Sequence, residues 1–143
     1  MNASESTRTG FTRSREDAND VCVVGRGALR FVVPLPPSVN HQYVRRRDRV
    51  VLTKRGRAYW EQVAWQVRGE RGAGVPDGAA LGVVAWLYFG RCGGDTDNRA
   101  KLLLDAVAVG LGIDDERFGR VYLERRRDLE RPRAEVLVWW TQD

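Results

Sequence analysis

Apolar residues recur along this chain with two different periods. Leu29–Val33 is a short apolar stretch of strand length, and Leu81–Phe89 is a nearly unbroken one. The second reads as a strand buried on both faces in the middle of a sheet. Between them Tyr59, Val63 and Val67, with Trp60 and Ala64 alongside, follow helical spacing to about Arg68, and Thr53 is placed to cap that helix. A second helical stripe, Leu102, Leu103, Ala106, Val107 and Gly110, should end at Gly110 and Gly112. Val121–Arg127 and Glu135–Trp140 read as a closing pair of strands around Arg131-Pro132.

The connections have their own signatures. Pro34-Leu35-Pro36-Pro37-Ser38 stops the first strand in a rigid extended turn. Tyr43–Leu52 has an arginine-rich centre between apolar ends, which fits a β-hairpin or a mobile basic loop. Gly69–Gly78 is a loop by composition. The order β, basic hairpin, α, β, α, β, β predicts a mixed α+β domain over residues 29–143, with one mixed sheet and two main helices. Residues 1–28 are rich in Ser, Thr, Asn, Arg and acids and are expected to form a disordered polar tail.

Composition narrows the partners. The chain has 143 residues, 43% hydrophobic and 30% charged, as for one globular domain. Its 24 Lys+Arg against 19 Asp+Glu give a net charge of +5 and pI ≈ 9.8. That excess favours nucleic acid, an acidic partner or an anionic membrane surface. No apolar run approaches the roughly 18 residues needed to cross a bilayer, and no apolar leader opens the chain, so a cytoplasmic protein is expected. Cys22 and Cys92 stand 70 residues apart, and His41 is the one histidine. Neither a zinc spacing nor a disulfide framework is present.

Against this basic background, Asp95-Thr96-Asp97-Asn98-Arg99-Ala100-Lys101 and Asp114-Asp115 place four carboxylates and a lysine around one helix-length segment. Each piece has a plain structural explanation. Acids commonly begin helices, and paired aspartates after a glycine turn are commonly a solvated loop. In combination they suit chemistry on a polyanion, because carboxylate oxygens are what hard divalent ions such as Mg²⁺ accept. With Asp97 at or near the N-cap, Lys101 lies one turn later on the same side, and Asp95 can point that way from extended chain. Asp105, one turn further, is expected to be a salt-bridge partner. Asp95, Asp97 and Asp115 would hold one or two Mg²⁺ (Mn²⁺ serving in its place), with Asp114 in support. Lys101 would steady charge on the phosphate. Candidate phosphate contacts are Arg45, Arg46, Arg47, Arg49, Lys54, Arg55 and Arg57.

These residues also make the sequence familiar. Pro34 to Asn40 followed by Tyr43, the segment Thr53–Val63 with Gly56 and Tyr59, and Asp95-Thr96-Asp97-Asn98 with Lys101, Asp105 and Asp114-Asp115 resemble, in order, the RusA family of Holliday junction resolvases. The likeness spans about residues 29–140. It implies a homodimeric, mixed α/β endonuclease that cuts four-way DNA junctions in recombination and repair. It also implies that Asp95, Asp97 and Asp115 are the essential carboxylates and Lys101 the essential lysine. Where the family pattern carries basic residues before the first aspartate, this chain has Gly90-Arg91-Cys92-Gly93-Gly94, suited instead to close backbone approach. A C₂ dimer would supply the second cut that one carboxylate cluster cannot make. A metal nuclease for other branched or duplex DNA, and a non-catalytic branched-DNA-binding module, remain the alternatives.

Overall fold

A computed structural model describes residues 27–91 and 96–141. The expected polar tail therefore lies outside the described residues, except that Gly27 and Ala28 already belong to the first strand. The elements run in the order β1 (Gly27–Val33), α1 (Val39–Gln42), β2 (Tyr43–Arg46), β3 (Arg49–Leu52), α2 (Lys54–Glu70), β4 (Ala80–Phe89), α3 (Thr96–Leu111), a 3₁₀ turn (Asp115–Arg117), β5 (Phe118–Arg127) and β6 (Arg133–Thr141). This is the mixed α+β architecture that the pattern predicts, and the arginine-rich segment takes the hairpin alternative.

The sheet is ordered β1-β6-β4-β5. β4 is central, as its unbroken apolar run requires, and pairs antiparallel with β6 and parallel with β5. The last two strands are thus not a hairpin with each other, which corrects the expected closing pair. β4 lies between them because its side chains from Leu81 to Phe89 must be covered on both faces and both edges. α3 is the crossover that a parallel β4–β5 pair needs.

Both long helices lie on one face. There Phe31, Val83, Ala85, Leu87 and Val136 pack against Tyr59, Val63 and Val67 of α2 and Leu103, Ala106 and Val107 of α3. α2 starts at its predicted cap, where Gly56 N donates to Thr53 Oγ1 at 2.9 Å. Gly110 does not end α3 as expected. It sits inside the last turn, where an added Cβ would lie 2.7 Å from Val67 Cβ and 2.8 Å from the Ala64 carbonyl. The glycine is there for helix–helix approach, and Gly112, at φ 77°, makes the stop. Trp60 meets Asp105 and Ala64 meets Gly110, while Arg71 Nη1 donates to the Leu111 carbonyl at 2.8 Å. Contacts that rise together in number mean that α2 and α3 run side by side in the same direction.

The other face is roofed by its own side chains. Trp86, Tyr88, Leu137, Val84 and Trp139 form a second buried cluster. Arg30 lies over the Trp86 ring at 5.3 Å and Arg133 over Tyr88 at 3.9 Å. Arg30–Glu135, Glu135–Arg133 and Arg133–Asp128 ion pairs of 2.6 to 2.8 Å link these guanidinium groups. Strand alternation also holds in β5, where Arg125 sits on Phe89 at 4.3 Å and Arg126 pairs with Glu124 on the opposite face.

Candidate functional site

Three structures meet where α2 and α3 begin: the hairpin, the proline segment and the first turns of α3. The hairpin pairs Tyr43 with Leu52 through Arg46 with Arg49 and turns on Arg47-Asp48. Arg47 has φ 55°, in the left-handed region, which costs a side-chain-bearing residue roughly 1–2 kcal/mol. A glycine would turn there at no steric cost, so the tip retains its charge at the expense of conformation. Arg45, Arg46, Arg47 and Arg49 are all exposed and line an open groove with Val44. Lys54, Arg55 and Arg57 are exposed on the first turn of α2, directly after the hairpin. The seven cations expected to meet phosphate are therefore contiguous and solvent-facing.

The proline segment is held by one side chain from each helix. Tyr59 Oη donates to the Pro34 carbonyl at 2.7 Å, Arg99 Nη1 to Pro36 at 2.7 Å, and Gln42 Nε2 to Pro37 at 2.6 Å. Burial holds the Tyr59 phenol protonated well beyond the ordinary tyrosine range. Arg99 is buried and also lies over the Phe89 ring at 5.1 Å. Residue-type reasoning missed both Gln42 and Arg99. The available signal was Arg99 falling in phase with the stripe of Leu102, Leu103, Ala106 and Val107; Gln42 had none.

α3 starts at Thr96, one residue before the expected cap, so Asp97 lies in the first helical turn. Lys101 and Asp105 follow at four-residue intervals on that side, and both are exposed. Asp95 lies outside the described residues, as does the placement of the Asp97 side chain. Among the described residues Asp105 has no ion-pair partner. Its Oδ2 accepts from Trp60 Nε1 at 3.0 Å, because the parallel helices bring an indole beside it.

Asp114 and Asp115 leave the far end of α3, whose 16 residues span about 24 Å. Asp114 Oδ1 accepts from Glu116 N at 3.0 Å, so one oxygen caps the 3₁₀ turn. Arg117 Nη2 donates to the Ala79 carbonyl at 2.9 Å and to Pro76 at 3.2 Å, pinning that turn beside the start of β4. The chain turns back far enough for Asp115 to feel Asp105. A hydrogen bond with the Asp114 carboxyl, then slight desolvation, then the charges of Asp105 and Asp114 hold the exposed Asp115 carboxyl above the ordinary aspartate range. Tyr43 is raised as well, chiefly by burial and then by Asp105.

Asp105, Asp114 and Asp115 thus act on one another electrostatically, and Lys101 follows position 97 by one helical turn. Among the described residues no group of three ligating side chains stands at metal-binding separation. The donors are nonetheless the right kind, since all are carboxylate oxygens and Asp115 is raised by its carboxyl neighbours. A divalent cation relieves that repulsion, whereas a lone ammonium group satisfies it poorly.

Because the folded-state pKa of Asp115 is raised, ionising it disfavours the fold. Its contribution to stability is fully present below the unfolded-state value and is lost as pH rises from there through the raised folded-state value. Cation binding needs the ionised form, so it should weaken on acidification while ordinary aspartates are still charged. In Asp114→Asn, the Asp115 titration followed by carboxyl-carbon NMR without metal should move down. An unmoved curve would remove Asp115 from the cluster.

No helix among the described residues is long and apolar enough to cross a membrane. No match to this chain was found among curated proteins. A family described as endodeoxyribonuclease RusA matches residues 34–138, a span that takes in the proline segment, the hairpin and both ends of α3. Nucleases of that family act on branched junction DNA and are generally metal-dependent. With most of the chain matched and the fold of the predicted class, this protein belongs to the RusA family of endodeoxyribonucleases.

Proposed function

We propose that the chain is a Mg²⁺-dependent, structure-selective endodeoxyribonuclease that resolves Holliday junctions by paired nicking as a homodimer, in DNA recombination and repair. The observation that carries this reading is the shared end of α2 and α3. There an exposed arginine hairpin, a basic first helical turn and the Asp97–Lys101 turn stand together. Cations hold a polyanion, and carboxylates set among them suit a divalent ion that joins them to phosphate.

Asp95, Asp97 and Asp115, supported by Asp114, are the residues we assign to the cation. When bound, Mg²⁺ would polarise the scissile phosphate and lower the pKa of the attacking water. Lys101 Nζ donates to a phosphate oxygen and offsets charge that builds there during in-line displacement. The arginines of β2 and β3, with Lys54, Arg55 and Arg57, grip flanking phosphates and orient the strand. Each chain provides one such acidic set, and a two-fold dimer matches the two-fold symmetry of a junction.

A panel of four-way junction, fork and linear DNA tests the reading. Two symmetric nicks in the junction and little cutting of linear duplex are expected. Junction affinity should fall steeply with salt. Arg46→Ala and Arg47→Ala should each flatten that dependence by about one unit of slope. An unchanged slope would move the binding face away from the hairpin, and equal cutting of all substrates would remove the junction preference.

A further inference from the structure

We propose that Gln42 is a positioning residue that couples the arginine hairpin to the N-terminal half of α3 through the proline segment; this rests on the nuclease reading above. Gln42 is the last residue of α1 and the one directly before Tyr43, so it forms the base of the hairpin. Its backbone carbonyl accepts from Thr53 N at 2.7 Å, closing the hairpin at the first residue past β3. The same carbonyl is so close to α2 that a Cβ on Gly56 would come within 2.5 Å of it. Any tilt of the hairpin is therefore felt at Gln42.

The side chain carries the connection onward. Gln42 is 0% exposed, and its Nε2 donates to the Pro37 carbonyl at 2.6 Å. The adjoining Pro36 carbonyl accepts from Arg99 Nη1 at 2.7 Å, and Arg99 lies between Asp97 and Lys101. Prolines cannot swing their backbone about φ, so two consecutive carbonyls of Pro36-Pro37 transmit position rather than absorb it. A longer contact of 3.5 Å from Nε2 to the Arg99 carbonyl shortens the path.

One feature argues against simple packing. Among the described residues nothing donates to Gln42 Oε1, although it is buried. A methionine would fill that volume and remove the unmatched oxygen, but would leave the Pro37 carbonyl without its donor, so what the amide adds is its N–H. Holding phosphate at the hairpin would then set where Lys101 stands relative to it.

The test uses the full chain, with Gln42→Met and Gln42→Glu. In Gln42→Met, kcat on a four-way junction should fall by about tenfold to a hundredfold, the scale of a 1 Å misplacement. KM and junction affinity in EDTA should remain near wild type, and melting temperature should fall by no more than the loss of one buried hydrogen bond. In Gln42→Glu, activity relative to wild type should rise as pH falls, because the protonated acid can donate to the Pro37 carbonyl in place of the amide. A kcat unchanged in Gln42→Met, or lost only in step with affinity and melting temperature, overturns the proposal. If Gln42→Met does not fold, the Glu variant decides, and a pH-independent ratio to wild type overturns it. A wild-type chain that fails to nick junctions would sink the nuclease reading instead. Hydrogen exchange at amides 99–104 then still reads the coupling: it should be faster in Gln42→Glu than in wild type at neutral pH, and an unchanged rate rejects it.

Discussion

Asp97→Asn and Asp115→Asn should each lower junction cleavage by orders of magnitude while the protein stays folded and still binds DNA. Asp97 lies in the first turn of α3, where a carboxylate gains only about 0.3–1 kcal/mol from the helix dipole. Asn retains the shape and most of the hydrogen bonding there, so a residue serving only the helix end would tolerate the change with activity intact. Asp115 is exposed and crowded by Asp114 and Asp105, so neutralising it relieves repulsion and stability should hold or rise. A cation ligand behaves otherwise, because losing one charged oxygen donor weakens both the hold on the ion and its placement. Junction binding should persist, since the exposed arginines of the hairpin are untouched. The measurement is single-turnover nicking beside gel-shift affinity and thermal melting. Near wild-type nicking by either variant would reduce that aspartate to a helix-end or loop residue.

Chelation should be as severe. Excess EDTA is expected to abolish nicking, and Mg²⁺ or Mn²⁺ to restore it. Ca²⁺ should support binding with little cutting, since it is larger and takes looser geometry. Two further effects follow from the raised Asp115. In acidic solution, where the raised carboxyl is part-protonated, cation binding should release protons, measurable as a buffer-dependent heat that fades as pH rises. It should also raise the melting temperature, because the cation binds the folded carboxylate set and not the unfolded chain. Sustained cleavage in EDTA would end the metal mechanism.

Most of the helical architecture was legible in the sequence, for reasons that lie within single segments. Thr53 caps α2 because hydroxyl capping is a matter of three residues. The apolar run of β4 announces a central strand because only such a strand is covered on all sides. The exposure of the hairpin arginines and Lys101 follows from charge, since charged side chains stay in water unless, like Arg99, they are hydrogen-bonded inside. The family likeness likewise rests on local spacing and holds over residues 34–138.

What depends on distant segments was decided only in the folded chain. The strand order placed β4 between β5 and β6, where the sequence suggested a hairpin, because covering the most apolar strand outweighs proximity along the chain. Gly110 read as a helix stop until the approach of Val67 and Ala64 showed that it makes room for α2. Asp105 met the Trp60 indole, since helix direction is not written in either helix. Gln42 and Arg99, buried and bonded to the proline carbonyls, could not be distinguished from surface residues by type. The sequence by itself determined which residue types were available and their local periods. The tertiary structure decided which of them meet, because burial and hydrogen-bond partners are properties of pairs far apart in the chain.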